Sequence, residues 1–183
     1  MDEATILILG GYGSAGRTIA RLLLQATNIQ RVIIAGRNEV KAQRQSKILS
    51  VEFGAERISS LVVDAGDKIG LRQSLAQVDL VIVCLAYRGN QAENVLQAVL
   101  EQGIHYIDLS PDTQKQAVLQ SLAEQLAARG CIALTEAGIV PGCPSMLVRL
   151  AANSLDSVQE ITLGSLYRDR NLAYDGAYDL ASH

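Results

Sequence analysis

The chain has 183 residues, 49% of them hydrophobic, which suits a globular protein with one substantial core. A formal net charge of −3 argues against nucleic acid as a partner. The apolar runs are too short for a membrane span, and the first residues lack the features of a secretory signal. Cys84, Cys131 and Cys143 are widely separated and odd in number. They predict reduced thiols in a cytoplasmic protein, and neither a disulfide frame nor a metal site is expected.

Short apolar runs alternate with longer segments of helical period along most of the chain. The predicted strands cover residues 6–9, 31–36, 61–64, 79–85, 105–109 and 131–135. The predicted helices cover residues 14–26, 39–49, 68–76, 90–102, 113–129 and 145–152. Because the strands are apolar on both faces, this order predicts an α/β fold: a doubly wound parallel sheet of about six strands with helices on both faces.

A further strand is predicted at residues 158–167, after the six strand-and-helix units are complete. We therefore expect residues 1–152 to form one domain. Residues 153–183 are expected to begin a second, α+β domain that contributes to substrate binding or dimerisation. The polar and aromatic tail leads us to expect that the chain is the first part of a longer protein.

A glycine-rich bend separates the first predicted strand from the first predicted helix. Gly11-Tyr12-Gly13-Ser14-Ala15-Gly16 fits the pattern G-x-G-x-x-G. In this context the first glycine permits a tight turn and the second lets the backbone approach a diphosphate. The third lets the helix pack closely on the strand, and free N–H groups at the helix start face the anion. The six residues are therefore predicted to bind a dinucleotide in an NAD(P)-binding Rossmann fold.

Two alternatives exist for this bend. One is a plain turn that needs only glycine's backbone freedom. The other is the P-loop of nucleoside triphosphatases, since Gly11, Gly16 and Thr18 have its spacing. The P-loop requires a lysine where this chain has Arg17, and the planar guanidinium of arginine is not a simple replacement. The dinucleotide interpretation is favoured.

The end of the second predicted strand indicates which dinucleotide binds. An NAD-binding fold carries an acidic residue there, whereas this chain reads Ala35-Gly36-Arg37-Asn38. An arginine suits the 2′-phosphate of NADP(H), and Lys41 adds a second cation one turn later. We therefore predict that Arg37, Asn38 and Lys41 bind NADP(H), with NAD(H) as the alternative cofactor. The structural alternative is a solvated arginine followed by Asn38 as a simple helix cap.

The remaining candidate residues follow later strands. Asp64, at the end of the third predicted strand, either approaches the adenine or serves as a turn or cap residue. Ligands of open α/β sheets bind at the carboxyl ends of the strands, so Ala86, Tyr87 and Gly138 are expected beside the nicotinamide. Tyr87 is the one candidate catalytic residue, and it fits the wall of a pocket equally well. The motifs Tyr-x-x-x-Lys, G-x-S-x-G and H-E-x-x-H do not occur.

Five stretches together resemble the NADP-binding domain of the saccharopine dehydrogenase (saccharopine reductase) family. They are GGYGSAGR (10–17), VIIAGRN (32–38), DLVIVCLAY (79–87), GIHYIDLS (103–110) and ALTEAGIVPGCPSML (133–147). The resemblance implies cofactor contacts at Gly11, Gly13, Gly16 and Arg37. It also implies contacts on the nicotinamide side from Ala86, Tyr87 and the turn at 138–142.

The resemblance further implies an NADP(H)-dependent oxidoreductase. Enzymes of the family transfer hydride at a C–N bond or carbonyl of a small, amino-acid-like substrate, and a second domain makes most substrate contacts. This chain is then expected to be the cofactor domain, inactive without that second domain. The alternative function is a non-catalytic NADP(H)-binding module with a regulatory or assembly role. A homodimer is expected from base rates alone.

Overall fold

The computed structural model describes residues 4–164, and it contains one sheet of six parallel strands. The strands lie in the order β3-β2-β1-β4-β5-β6. They are β1 (Thr5–Leu9), β2 (Arg31–Gly36), β3 (Ile58–Val62), β4 (Leu80–Val83), β5 (His105–Asp108) and β6 (Ala133–Leu134). The helices are α1 (Ser14–Ala26), α2 (Glu39–Phe53), α3 (Lys68–Leu75), α4 (Gln91–Gln102), α5 (Thr113–Ala128) and α6 (Gly142–Ala152), with a 3-10 turn at Ala55–Arg57.

Helices cover both faces of the sheet, which confirms the predicted doubly wound α/β fold. On one face, Ile6 and Ile8 pack with Ala20 of α1 and Leu49 of α2. On the other face, Leu7, Leu9, Val81 and Val83 pack with residues of α3, α4 and α5. Consecutive residues from Ile6 to Leu9 thus belong to opposite cores, and each is at most 1% exposed. A strand buried on both faces needs such an uninterrupted apolar run.

After the adjacent strands β1 and β4, the chain continues toward opposite edges of the sheet. β1 lies between β2 and β4, and its last residue, Leu9, is in register with Val83 of β4. After β1 the chain crosses through α1 to β2, whereas after β4 it crosses through α4 to β5 on the other side. The carboxyl ends of two strands at such a divergence, here β1 and β4, are the usual ligand position in open α/β sheets.

Four predicted strands differ from the observed ones by more than one residue. The third begins at Ile58 and ends at Val62, where the prediction was 61–64, because an edge strand tolerates the half-buried Ser59 and Ser60. The fourth covers only Leu80–Val83, where the prediction was 79–85. The sixth covers only Ala133–Leu134, where the prediction was 131–135. The strand predicted at 158–167 is wrong for residues 158–164, which have no regular structure. Residues 165–167 lie outside the described part of the chain.

Contacts divide the chain into two compact units, residues 1–143 and 144–183. The first unit contains the whole sheet. In the second, the described residues include most of α6, on which Met146, Leu147 and Leu150 are exposed. Between residues 4 and 164, no helix has both the length and the apolar character needed to cross a membrane.

Candidate cofactor-binding site

The turn that leaves β1 is made by a glycine that precedes the predicted motif. Gly10 has a left-handed φ of +84°, and a Cβ there would lie 2.7 Å from the carbonyl oxygen of Cys84. Gly11 is not left-handed, but a Cβ on it would lie 2.8 Å from the carbonyl oxygen of Ile8. The tight turn therefore needs both glycines of the Gly10-Gly11 pair, and sequence reasoning assigned it to Gly11 alone. The doublet itself was the signal that could have revealed Gly10.

The other two motif glycines have different surroundings. A Cβ on Gly16 would overlap the carbonyl oxygen of Gly10 and lie 2.7 Å from the Cα of Gly11. Helix α1 therefore packs directly on the bend, as predicted for the third glycine. A Cβ on Gly13 would meet a single protein atom within 4 Å, the carbonyl oxygen of Gly10 at 3.2 Å. The fold thus requires Gly16, whereas the space beside Gly13 is open.

The first turn of α1 presents unpaired backbone donors. Gly13 is the N-cap residue and forms no side-chain capping bond. Among residues 4–164, no protein acceptor faces the N–H groups of Ser14, Ala15 and Gly16, and the first bond of the helix runs from Arg17 N–H to the carbonyl oxygen of Gly13 at 3.0 Å. These groups lie at the positive end of the helix dipole. Unpaired donors at this end of a helix are the arrangement that an anion site requires.

Tyr12 connects this bend to the end of β2. Its ring lies against Gly36, where a Cβ would be 2.6 Å from the ring carbon Cε1. Its hydroxyl oxygen accepts a hydrogen bond from the backbone N–H of Asn38 at 3.1 Å. The Asn38 side chain in turn accepts from the N–H of Lys41 at 2.9 Å and caps α2. Asn38 therefore has the capping role that was the structural alternative for it.

Two exposed cations flank the capped start of α2. Neither Arg37 nor Lys41 forms a side-chain hydrogen bond or ion pair with the described residues, whereas Arg21 is paired with Glu52 at 2.7 Å. A lysine in the first turn of a helix is disfavoured by the helix dipole. Two unpaired cations at this place have the charge needed to bind a phosphate.

Asp64 is an exposed turn residue. Its Oδ1 atom accepts a hydrogen bond from the backbone N–H of Gly66 at 2.9 Å. Helix α3 is capped by Asp67, whose side chain accepts from the N–H groups of Ile69 and Gly70. The turn role considered for Asp64 is therefore observed, and the cap role belongs to Asp67.

The loop after β4 lies beside the glycine bend. The close approach of Gly10 to the carbonyl oxygen of Cys84 joins the ends of β1 and β4. Burial raises the pKa of the Cys84 thiol to about 12, so this cysteine is a poor nucleophile at neutral pH. Ala86 is exposed, and Tyr87 is partly buried with its ring against the core of α4 and α5.

Tyr87 is the outer end of a buried polar network that the sequence analysis did not predict. Its hydroxyl lies 2.9 Å from the hydroxyl of Tyr106, which donates to Asp108 Oδ2 at 2.6 Å. Asp108 Oδ1 accepts from Lys115 Nζ at 2.7 Å, and the side chains of this pair are 2% and 0% exposed. Burial is the main cause that raises the pKa of both tyrosines above the ordinary value, and the nearby Asp108 carboxylate adds to it.

The loop after β6 contacts the same carboxylate. Thr135 Oγ1 donates to Asp108 Oδ2 at 2.9 Å, and the Glu136 N–H donates to Oδ1 at 3.0 Å. Glu136 has a left-handed φ of 60°, and its side chain accepts a hydrogen bond from Gln116. A Cβ on Gly138 would overlap the carbonyl oxygen of Leu109, so this turn packs directly on the end of β5.

One sequence signal could have indicated this network. Tyr106 and Asp108 are two residues apart on β5, so both point to the same face of the sheet, and that face is buried. Buried polar groups need hydrogen-bond partners, and the pattern therefore demands donors and acceptors from neighbouring elements. Which residues supply them is visible only in the fold.

The structure thus brings most of the predicted residues together in two groups at the carboxyl ends of the strands, whereas Asp64, in the turn after β3, belongs to neither group. The first joins the bend at residues 10–16 to the end of β2 through Tyr12. The second joins the ends of β4, β5 and β6 through Asp108. A family model described as the saccharopine dehydrogenase NADP binding domain matches residues 6–134, more than half of the chain.

The chain belongs to this family. This saccharopine dehydrogenase NADP-binding domain therefore has NADP(H) as its cofactor, as the sequence predicts. It resembles saccharopine dehydrogenase (L-Glu forming) from Saccharomyces cerevisiae with a TM-score of 0.67 and 20% identity, over 82% of this chain and 31% of that one. It resembles Pen from Bacillus thuringiensis with a TM-score of 0.55 and 18% identity, over 73% of this chain and 49% of that one. Both likenesses confirm the fold.

A curated relative is UDP-N-acetylglucosamine 4,6-dehydratase (inverting) from Campylobacter jejuni. It is 30% identical over 119 residues, which cover 56% of this chain and 34% of that enzyme. A second strain's enzyme of the same name shows 30% identity over 115 residues. The chain thus spans about a third of the length of these relatives.

Proposed function

We propose that this chain is the cofactor domain of an NADP(H)-dependent oxidoreductase. Its reaction is hydride transfer at a C–N or carbonyl centre of a small, amino-acid-like substrate. The observation that carries the proposal is the pairing of two features at neighbouring strand ends. Three N–H groups without a partner among the described residues open α1 after β1, and two cations without one flank the start of α2 after β2.

The charge of the residues and the open space beside them indicate which part of the cofactor each would bind. The N–H groups of Ser14, Ala15 and Gly16 would hold the diphosphate, which passes beside Gly13 because no side chain fills that space. Arg37 and Lys41 would hold the 2′-phosphate. Gly11 would bring the backbone of the bend close to the same diphosphate, since the bend has no room for a side chain there.

Tyr12 and Asn38 would complete the 2′-phosphate site. The Tyr12 oxygen is an acceptor toward Asn38 N–H, so its own proton is available as a donor. Asn38 holds the start of α2, from which Lys41 extends. Asp64 would face the adenine with the carboxylate oxygen that its turn does not use.

Ala86, Tyr87 and Gly138 would lie on the nicotinamide side, at the ends of β4 and β6. The bound nicotinamide supplies the hydride, and this domain orients its ring and excludes water. One observation favours the non-catalytic alternative, a module that binds NADP(H) without turnover. Tyr87 is the one candidate catalytic residue, and its hydroxyl is already engaged with Tyr106.

We also propose the domain organisation expected from the sequence, with a cofactor domain over 1–152 and the start of a substrate or dimerisation domain over 153–183. Large apolar side chains are exposed among the described residues of this part, namely Leu155, Val158, Ile161 and Leu163. Exposed apolar side chains in such number are typical of a surface that packs against further structure.

Calorimetric titration of NADPH and NADH into the protein tests the proposal. NADPH should bind more tightly than NADH. Arg37→Asp should weaken NADPH by about 10- to 100-fold, the worth of a charge-assisted hydrogen bond, and should reverse the preference. Lys47→Asp is the matched control, since Lys47 is exposed on α2 about 12 Å from the start of that helix and its charge change is the same. Tighter binding of NADH to the unmodified protein would overturn the assignment.

A substrate screen addresses the reaction itself. Oxidation of NADPH by keto acids, in the presence and absence of primary amines, can be followed in the longest available form of the protein. Consumption that requires both partners would support imine reduction. NADPH binding without consumption under any condition would favour the non-catalytic module.

A further inference from the structure

A line of hydrogen bonds runs from the loop after β4 into the core. The hydroxyls of Tyr87 and Tyr106 are 2.9 Å apart, and the Tyr106 hydroxyl is 2.6 Å from Asp108 Oδ2. Tyr106 and Asp108 are 0% and 1% exposed, whereas Tyr87 is only partly buried. Of these three side chains, Tyr87 is therefore the one with exposed surface.

The proton positions along this line follow from the charge of Asp108. Its carboxylate pairs with the ammonium group of Lys115, so both of its oxygens are acceptors. Tyr106 must then use its single hydroxyl proton as the donor to Asp108. Tyr87 in turn must donate its own proton to Tyr106. What Tyr87 retains for a ligand is an oxygen lone pair.

Other donors hold Asp108 in this state. Besides Tyr106, it accepts from the Lys115 ammonium, the Thr135 hydroxyl and the Glu136 N–H, which come from α5 and from the loop after β6. Lys115 also donates to the carbonyl oxygen of Ser110. A carboxylate with four donors on two oxygens has no capacity to supply a proton to Tyr106. The direction of the Tyr87 hydrogen bond is therefore set by residues of three elements.

We propose that Tyr87 accepts a hydrogen bond from an N–H or O–H donor on the nicotinamide riboside half of NADP(H), with Tyr106 and Asp108 as positioning residues. The inference rests on the proposed function, which places that half at the ends of β4 to β6. The donor is either the carboxamide N–H of the ring or a hydroxyl of its ribose. Tyr87 thus accepts a hydrogen bond from the ligand, whereas a catalytic acid would donate its proton to it.

The test compares two ligands by calorimetry: NADP+ and 2′-phosphoadenosine 5′-diphosphate, which lacks the nicotinamide riboside. Tyr87→Phe and Tyr106→Phe should each weaken NADP+ by about three- to tenfold, the range for one neutral hydrogen bond. Neither should change the affinity of the fragment. Ser74→Ala is the matched control, because it removes a partly buried hydroxyl that bonds within α3.

A double-mutant cycle separates positioning from direct contact. If Tyr106 acts through Tyr87, Tyr106→Phe adds nothing to NADP+ binding in the Tyr87→Phe background. Equal losses for NADP+ and the fragment, full additivity, or no loss in Tyr87→Phe would each overturn the inference. Tyr87→Phe suffices for this decision if Tyr106→Phe fails to fold. Failure of the unmodified protein to bind either ligand would instead refute the proposed function.

Two further ligands identify the donor. The 3-acetylpyridine analogue of NADP+ replaces the carboxamide NH2 by a methyl group, and 2′-phospho-ADP-ribose keeps the ribose without the ring. If the carboxamide is the donor, Tyr87→Phe abolishes the preference for NADP+ over the analogue. If the ribose is the donor, Tyr87→Phe weakens 2′-phospho-ADP-ribose as much as NADP+.

Discussion

The ring of Tyr12 covers Gly36 so closely that a methyl group at Gly36 would lie 2.6 Å from a ring carbon. The same ring places its hydroxyl under the backbone N–H of Asn38. One side chain of the glycine bend thus shapes the segment that bears Arg37. The diphosphate and 2′-phosphate parts of the proposed site are therefore coupled through a single tyrosine.

Tyr12→Phe should lower the affinity for NADPH by about 10- to 100-fold, the worth of a hydrogen bond to a charged group, and leave NADH unchanged. The substitution keeps the ring on Gly36 but removes the hydroxyl proton proposed to face the 2′-phosphate, which is worth about one hydrogen bond. Titration of both cofactors checks it. Equal weakening of NADPH and NADH would show that the hydroxyl acts only on the shape of the loop.

Gly13→Ala and Gly16→Ala should separate binding from folding. At Gly16 an added Cβ overlaps backbone atoms of the bend, so we expect a loss of about 1–3 kcal/mol in the free energy of unfolding. At Gly13 the nearest protein atom is 3.2 Å away, so stability should change by less than about 1 kcal/mol while NADPH affinity falls at least about tenfold. Urea unfolding and calorimetry measure the two effects. Normal NADPH binding by Gly13→Ala would contradict the proposed path of the diphosphate.

Lys115→Met should destabilise the fold by about 3–5 kcal/mol, because it leaves the Asp108 carboxylate buried without its cation. Arg21→Met is the matched control, since it breaks an ion pair whose side chains are 45% and 37% exposed and should cost less than about 1 kcal/mol. Thermal and urea unfolding of both variants give the comparison. Similar losses in the two variants would argue against the buried pair as a major contributor to stability.

Alkaline pH should destabilise the protein through Tyr106. Its pKa in the fold is raised, chiefly by burial, so the folded state favours the neutral phenol. The stability contributed by this group is complete below its ordinary pKa of 10.0. It is lost as the pH rises above that value, by up to about 1.4 kcal/mol per pH unit. Urea midpoints between pH 8 and pH 11 should therefore fall less steeply for Tyr106→Phe than for the unmodified protein, and parallel curves would contradict this.

Much of the architecture was predictable because its causes are local in sequence. Each residue of the run Ile-Leu-Ile-Leu at 6–9 faces one of two cores, and a strand buried on both sides leaves this uninterrupted apolar signal. The edge strand β3 was misplaced because its sequence lacks this apolar signal. Half-buried serines at 59 and 60 give no apolar signal, and its edge position depends on the order of all six strands.

The sequence by itself determined the order of strands and helices, the glycine bend and the cationic end of β2, since each depends on neighbouring residues. Only the tertiary structure decided that Tyr12 lies on Gly36 and that Tyr87, Tyr106, Asp108 and Lys115 share one network. Those contacts depend on strand register and helix packing, which bring together groups up to 28 residues apart. The direction and the burial of a hydrogen bond depend on this packing, and they cannot be predicted from neighbouring residues in the sequence.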